Sequence, residues 1–428
     1  MIDIKLIREN PKLVKDNIKK KFQNEKLLLV DKVRNLDEEW RKLKQEEDKL
    51  RNQRNKISES INQAKKQKKD ISVLIKKAKE IPDKIAKTGN KRRKLEAEIR
   101  GIMLKIPNII HKSVPIGRDE KSNVEIRRWG KSTKLSFEPK NHAELIEAMG
   151  YANFNAGRSN SGQGFNYLLG DIAQLDHALQ RYGMDFIMKK GFIPIIPPML
   201  LNFKTLLGAL NGLKDFEDVV YKIDKENLYL IGTAEHALVS MLKNKVIRKK
   251  DLPIKVYALT TCFRKEIGSH GVDTKGLFRM HQFNKVEQVV FTTPENSPKM
   301  LEAMQKITEE FFKSLKMPYR VVELCSGDLG DKFTRQYDIE AWFPRQKTYK
   351  EITSAGNCAD FQARALNIKY LDKGERKYVH VLNNTMVATS RAMVAIIENF
   401  QQKDGSIKIP KVLQKYMNGK KKINFYKK

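Results

Sequence analysis

Cysteine is scarce: the 428 residues hold three, Cys262, Cys325 and Cys358, and no CxxC pair. That excludes a disulfide scaffold and a cysteine-rich zinc site, and it suits a reducing compartment. Long apolar runs are missing too. No stretch approaches the roughly 18 apolar residues of a membrane span, so no membrane partner is expected. The opening MIDIKLIREN lacks the apolar segment of a signal peptide and the acid-poor composition of a transit peptide, which points to the cytoplasm. The familiar nucleotide motifs are also absent. There is no GxxxxGK[ST] phosphate loop, no HExxH and no kinase-type HRD set. GQGF (162–165) lacks the third glycine and the preceding strand of a dinucleotide fingerprint. A nucleotide bound by this chain must therefore lie on an antiparallel sheet.

Acidic residues are few beside basic ones, 51 against 84, for a formal net charge of +33. Such an excess makes a polyanion the first partner to consider. Glycine and proline nearly vanish over 28–105. There apolar or tolerated positions recur at alternating steps of four and three. They run Leu36, Trp40, Leu43, Glu47, Leu50, Arg54, Ile57, Ile61 and Ala64, then resume at Ile71, Leu74, Ala78, Ile81, Ile85, Thr88, Arg92, Leu95, Ile99 and Ile102. This spacing specifies a left-handed helical pair. KKQKKD (65–70) turns the chain back, giving an antiparallel hairpin with helices of about 33 residues, roughly 50 Å long. Pro82 and Gly89 predict a kink or frayed stretch in the second helix. Over 26–105, 25 Lys/Arg stand against 13 Asp/Glu, a local +12. A solvated coiled coil used for dimerisation and an arm that tracks phosphates both fit. A self-paired hairpin needs no partner helix, which favours the arm.

After the linker KIPNIIHKSVPIG (105–117) the pattern changes. An amphipathic helix (171–190) precedes the apolar GFIPIIPPML (191–200). YLIGTAEHALVSM (229–241) reads as a strand entering a helix at Thr233. Strands are expected at 254–264, 277–292, 319–325, 337–343, 348–357 and 377–384, and a helix at 387–402. Mostly antiparallel strands flanked by helices give an α+β class. The closing KKKINFYKK reads as a basic tail.

FRKEIGSHGVDTKGLFRMHQF (263–283) joins two of these strands through a long glycine-bearing loop, where hairpins normally turn in two to five residues. Arg264 and Glu266, two apart on a strand, share a face, as do Arg279, His281 and Phe283 on the return, followed in phase by Lys285 and Glu287. A structural ion pair and a functional floor both fit this pattern. The helix 387–402 separates them: it is apolar nearly all round except for Arg391 and Glu398. A buried guanidinium must be paired, and a triphosphate would pair it. Glu351 and Ser354 of EITS (351–354) offer a carboxylate and a hydroxyl for the accompanying metal. A cross-strand lysine partner for Glu351 stays open at this point.

Taken together, MIDIKLIRENP, the helical arm, IPNIIHKSVPIG, RRWG, GFIPIIPPML, GTAEH, FRKE…GLFRMHQFNKVE, GDLG, EITSAGNCADFQAR and NNTMVATSRAMVAIIENFQ resemble the seryl-tRNA synthetases of the common, non-methanogenic type, class II aminoacyl-tRNA synthetases. The likeness covers nearly the whole length. It implies a tRNA-binding domain over 1–110 with its arm at about 28–103, a catalytic domain over 111–428, and a homodimer formed through 191–200. It implies that L-serine and ATP give seryl-adenylate, whose seryl group passes to serine tRNA, and to selenocysteine tRNA where an organism has one. Carried over by position, Arg264 and Arg391 are the catalytic pair. Arg264, Lys265, Glu266, Arg279, Phe283, Glu351, Ile352, Thr353, Ser354 and Arg391 bind ATP. Glu351 and Ser354 hold Mg2+. Thr233, Ala234, Glu235, Glu287 and Thr385 bind serine. The loop IGSHGVDTKG is expected to be mobile, so that the tRNA 3′ end can enter over it.

Four residues depart from the family's usual pattern. Asn384 stands where glycine is usual, Gly356 where serine is frequent, Ala365 where a second arginine is frequent, and Gly164 where arginine is common. The first is expected to narrow the serine pocket and the others to loosen packing or tRNA contacts. A degenerate homologue acting as an RNA-binding scaffold would have lost the ATP set, yet Arg264, Glu266, Arg279, Glu351 and Arg391 are all present. A homologue that charges a carrier protein would lack the arm.

Overall fold

The structure, a computed structural model, describes residues 1–210, 219–266 and 276–426. The chain forms two compact units. One comprises residues 2–19 and 23–107, the other essentially 108–428. Most of the loop expected to be mobile (267–275) and the last two lysines lie outside the described residues.

In the N-terminal unit, short helices α1 (Ile4–Glu9) and α2 (Pro11–Lys20) precede the long helices α3 (Leu27–Lys66) and α4 (Ser72–Met103). Arg8 ties α1 to α3 through Asp37 at 2.6 Å. The helices of the hairpin have 40 and 32 residues rather than equal lengths of about 33. Every residue of the expected seam is buried or half-buried except Arg54, whose long side chain reaches solvent. At the polar step of the seam, buried Glu47 accepts from Arg51 of its own helix at 2.7 Å and from Arg92 of the other at 2.8 Å. The two guanidinium groups hold its carboxyl below the ordinary range. Gly89 faces this carboxylate, and a Cβ there would lie 3.8 Å from Glu47. No frayed stretch appears: α4 is continuous across Pro82 and Gly89. The flanking seam residues Ile81 and Ile85 pack there and hold the turn that proline weakens.

The second unit is built on an eight-stranded sheet. In chain order its strands are β1 (Val124–Trp129), β2 (Ile193–Pro194), β3 (Ile254–Phe263), β4 (Gln282–Thr292), β5 (Tyr319–Glu323), β6 (Arg335–Phe343), β7 (Thr348–Asn357) and β8 (His380–Ala388). The spatial order is β1-β5-β6-β7-β8-β4-β3-β2, antiparallel except where β2 runs parallel to β3. The α+β expectation holds.

The two faces of β4 differ. Val286 and Val290 enter the main core beneath helices α6 (Gly170–Met188), α9 (Ser297–Ser314) and α11 (Thr389–Phe400). The opposite face starts at Phe283 and Lys285, which line a cavity, and at the carboxylate Glu287. It becomes apolar at Val289 and Phe291, which pack with Val256, Val381 and the helix α8 (Ala234–Ser240). The period-2 alternation of a strand thus gives a core face and a face that is half site, half core.

Several expected boundaries shift. The return strand begins at Gln282, not at 277. Leu277 donates its N–H to a histidine ring rather than to a strand, so Arg279 and His281 do not share a strand face with Phe283. Arg264 and Glu266 lie beyond the end of β3, and Glu266 has φ +49°. The stretch 377–384 divides at Val379: Glu375–Tyr378 belongs to a separate three-stranded sheet, and His380 starts β8. β8 continues to Ala388, delaying the last helix to Thr389.

Replacing Glu47 by alanine removes the carboxylate that half-buried Arg92 reaches on the other helix, leaving it only Glu96 of its own. Amide exchange near 43–51 and 88–96 should speed up about tenfold, from the roughly 1–2 kcal/mol such a loss carries. Mass-spectrometric hydrogen exchange over these peptides measures it.

Candidate active site

Two strand irregularities decide which side chains meet. Between β6 and β7 the register shifts, so that Asp338 opposes Ser354 while Glu340 opposes Glu351. One residue, Ile352, is therefore extra. Glu351 and Ser354 are three apart, an odd step that normally separates faces, and the bulge brings them to the same one. A second shift between β8 and β4 leaves Met386 extra, so that Thr385 opposes Glu287 and Ala388 opposes Lys285. Thr385 and Ala388 then share the face that β4 offers.

That face lines a cavity of about 330 Å³. Its walls include Thr233, Glu235, Arg264, Glu266, Arg279, Phe283, Glu351, Ile352, Thr353, Ser354, Thr385 and Arg391. Three predicted site residues, Lys265, Ala234 and Glu287, are not among its lining residues. Lys265 bonds its N–H to Val219 O at 2.9 Å, and Ala234 is buried at the start of α8. Glu287, fully buried, is bound by Lys285 at 2.5 Å, Asn383 at 3.2 Å and Thr385 at 3.2 Å.

The wall is rich in cations. Arg264, Arg279, Lys285, Lys332 and Arg391 line it against Glu235, Glu266 and Glu351, a balance that favours a polyanion. Arg264 donates to Gly232 O at 3.1 Å and stands 5.4 Å over the Phe283 ring. Arg279 is 3.8 Å from Glu266. Arg391 pairs with Glu351 at 3.0 Å and lies 5.1 Å over Phe278. Burial pulls the Glu351 carboxyl upward, but the Arg391 charge holds it below its ordinary range. The partner of Glu351 is thus an arginine of the last helix, not a cross-strand lysine. Beside it, burial and then the Glu351 charge push Asp338 well above the usual carboxylate range. The Ser354 hydroxyl accepts from Gln336 at 2.7 Å. Glu351, Ser354 and Asp338 present hard oxygen donors on one face, a set that fits a magnesium ion carried by a phosphate.

Near Thr233, Glu235 is 2% exposed and held by Lys332 at 2.5 Å and by Gln362 at 2.7 Å. Burial acts against its charge, and the Lys332 ammonium outweighs it, keeping the carboxyl low. The Thr233 hydroxyl caps α8 by accepting from Glu235 N at 3.3 Å. The adjacent His236 ring is buried, with no partner for Nδ1 among the described residues, and desolvation lowers its pKa to about 3.

Residues 1–110 match the family described as the seryl-tRNA synthetase N-terminal domain, and 220–400 the tRNA synthetase class II core domain (G, H, P, S and T). The serine–tRNA ligase of Methanospirillum hungatei is 45% identical over 98% of this chain and 99% of its own. The seryl-tRNA synthetase of Pyrococcus horikoshii, solved in complex with ATP, is 44% identical with a TM-score of 0.92, both chains covered in full. This chain belongs to the seryl-tRNA synthetase family. The cytoplasmic serine–tRNA ligase of Naegleria fowleri, solved with AMP, is 34% identical with a TM-score of 0.86 over 100% of this chain and 99% of its own.

The structure corrects the pocket reading of Asn384 and the packing readings of Gly356 and Gly164. Asn384 does not narrow the cavity. It alternates with Asn383 and Thr385, so its amide turns away, donating to Met304 O at 2.9 Å and Thr308 Oγ1 at 3.0 Å on α9. Gly356 does not loosen packing. A Cβ there would lie 2.2 Å from the Phe333 ring, which occupies the space and lines the cavity. Gly164 has φ +85°, and a Cβ would meet His281 at 2.5 Å. Ala365 is buried.

Sequence reasoning did not single out Lys332, Asp338, Phe278, Gln336 or Asn383 as site residues. The alternating acids of YDIEAW were a usable signal for Asp338. Lys332 reaches Glu235 from 97 residues away and had none.

A ring with a pKa near 3 should not titrate between about pH 8 and 5, where an ordinary histidine does. NMR of ring-labelled protein would follow the His236 signals. The unfolded chain binds this proton below about pH 6.5 and the folded one does not, so His236 makes stability fall as pH falls. His236→Gln should remove that part, about 1.4 kcal/mol per pH unit. Chemical denaturation at two pH values would detect it.

Proposed function

We propose that the chain is a serine–tRNA ligase, and that one observation carries the reading. A net-positive cavity on an antiparallel sheet also contains a buried, ionised carboxylate, Glu235, whose Oε1 takes both Lys332 and Gln362, with the polar groups Thr385 and Asn383 on the same wall. In the first step a serine carboxylate oxygen attacks the α-phosphorus of ATP. The bond from that phosphorus to the bridging oxygen breaks, and pyrophosphate leaves. Arg264 meets the charge that develops on the α-phosphate. Phe283 stacks on adenine, with Glu266 at the ring's edge. Arg391 covers the other face, and Arg279 reaches toward the γ-phosphate. Glu351 and Ser354 hold phosphate and magnesium, with Ile352 and Thr353 contributing backbone, and the ion when bound neutralises triphosphate charge.

Glu235 and Thr233 receive the serine ammonium, with Ala234 fixing their turn. Thr385 and Glu287 bracket the hydroxyl. A site built to bond a hydroxyl leaves its own groups unpaired with alanine, which is how such sites discriminate. In the second step a ribose hydroxyl at the tRNA 3′ end attacks the seryl carbonyl carbon, and AMP leaves. The basic arm tracks the long variable arm of serine tRNA. The same reading extends to selenocysteine tRNA and to a cytoplasmic location. A homodimer is supported by the apolar surface of 191–200, where Ile193 is 58% exposed and Ile196 fully so.

ATP–pyrophosphate exchange, run with each amino acid in turn and no tRNA, should respond to L-serine alone. Folded protein with magnesium and no serine-dependent exchange would sink the reading. Deleting 30–102 across a short linker should preserve exchange but sharply reduce tRNA charging. The truncated form should also show a shallower salt dependence of tRNA binding, because fewer phosphate counterions are released. Equal charging and equal salt slopes would make the arm a spacer.

A further inference from the structure

Glu398 is the second charged residue of the last helix, and nothing in the proposed reaction uses it. It is fully buried, and its Oε2 has no hydrogen-bond partner among the described residues. Its Oε1 is 3.2 Å from Nδ1 of His142, itself 4% exposed, at the start of the helix His142–Ala148. The other ring nitrogen, Nε2, accepts the backbone N–H of Leu277 at 3.1 Å. A backbone amide can only donate, so Nε2 is the bare nitrogen and Nδ1 carries the hydrogen toward Glu398. The contact is built closely. Gly276, at φ +119°, lies where a Cβ would be 2.3 Å from Nε2, so only glycine admits the ring. Leu277 is fully buried, and the next two residues, Phe278 and Arg279, form cavity wall. Arg391, two helical turns from Glu398 on the same helix, lies over Phe278.

We infer that His142 is a positioning residue for ATP: it fixes the backbone at Leu277 against the helix that carries Arg391, and so sets Phe278 and Arg279. This rests on the cavity being the ATP site. The serine-facing groups, Glu235, Thr385 and Glu287, stand on other elements and do not depend on Leu277. A purely structural histidine would affect both substrates alike.

Two isosteres separate the halves of the contact. In H142Q the amide oxygen reaches the Leu277 N–H. In H142N the shorter amide reaches only Glu398. ATP affinity of the full-length protein, measured by calorimetry with magnesium, should weaken about tenfold in H142N, the effect of losing one buried hydrogen bond, and stay near wild type in H142Q. In exchange assays the KM for serine should stay unchanged in both. The role is overturned if H142N binds ATP normally, if H142Q loses as much as H142N, or if serine KM rises in step with ATP Kd. Wild-type protein that binds ATP but shows no serine-dependent exchange would reject the ligase reading alone, because calorimetry needs no turnover. Wild-type protein that does not bind ATP would overturn both.

Discussion

A pleated strand sends successive side chains to opposite faces, and this site exists because that alternation is broken twice. The extra residue at Ile352 puts Glu351 and Ser354 on one side, where Asp338 joins them. The extra residue at Met386 lets Thr385 and Ala388 both face the cavity before the chain enters the helix bearing Arg391. Without either bulge the oxygen donors would be divided between cavity and core, and Arg391 would start from a different turn. The bulges act locally, yet they fix the chemistry of the whole floor.

The second organising feature is that buried or half-buried carboxylates are each met by a basic or polar side chain, close in sequence for Glu287 and far away for Glu235, Glu351 and Glu398. Lys332 holds Glu235, Lys285 holds Glu287, Arg391 holds Glu351, and His142 meets Glu398. Each pair offsets the desolvation that a lone buried charge would suffer, and each fixes a side chain before any ligand arrives. Such pairs add little stability compared with apolar packing. Their value lies in orientation. The packed helices on the core side of the sheet supply the rigidity that these pairs need.

Three of the unusual residues show how local sequence and tertiary space compensate each other. Gly356 makes room for Phe333, whose ring then lines the cavity. Asn384 adds an amide to a buried polar cluster with Thr308 and Gln288 rather than to the site. Gly164 lets His281 stack on Phe165 at 5.0 Å. At both glycines the side chain that fills the space is far away in sequence, so a change that looks like a loss locally is matched elsewhere.

The amino-acid sequence by itself determined the helical hairpin, because both helices answer to one local period and pair with each other. It also determined the α+β class, the positions of most strands, and the residue types that a nucleotide floor requires. It could not decide which faces those residues share. Period-2 reasoning placed Arg264 and Glu266 on one strand face, yet both lie beyond the end of β3, and it offered no account of how Glu351 and Ser354, three apart, reach the same side. Nor could it identify Lys332 as the partner of Glu235, or His142 as the partner of Leu277 and Glu398. These contacts cross 97, 135 and 256 residues and follow no local pattern. Only the packing of the sheet against its helices brings them within hydrogen-bond distance, because buried charges and amides must find partners wherever the fold supplies them.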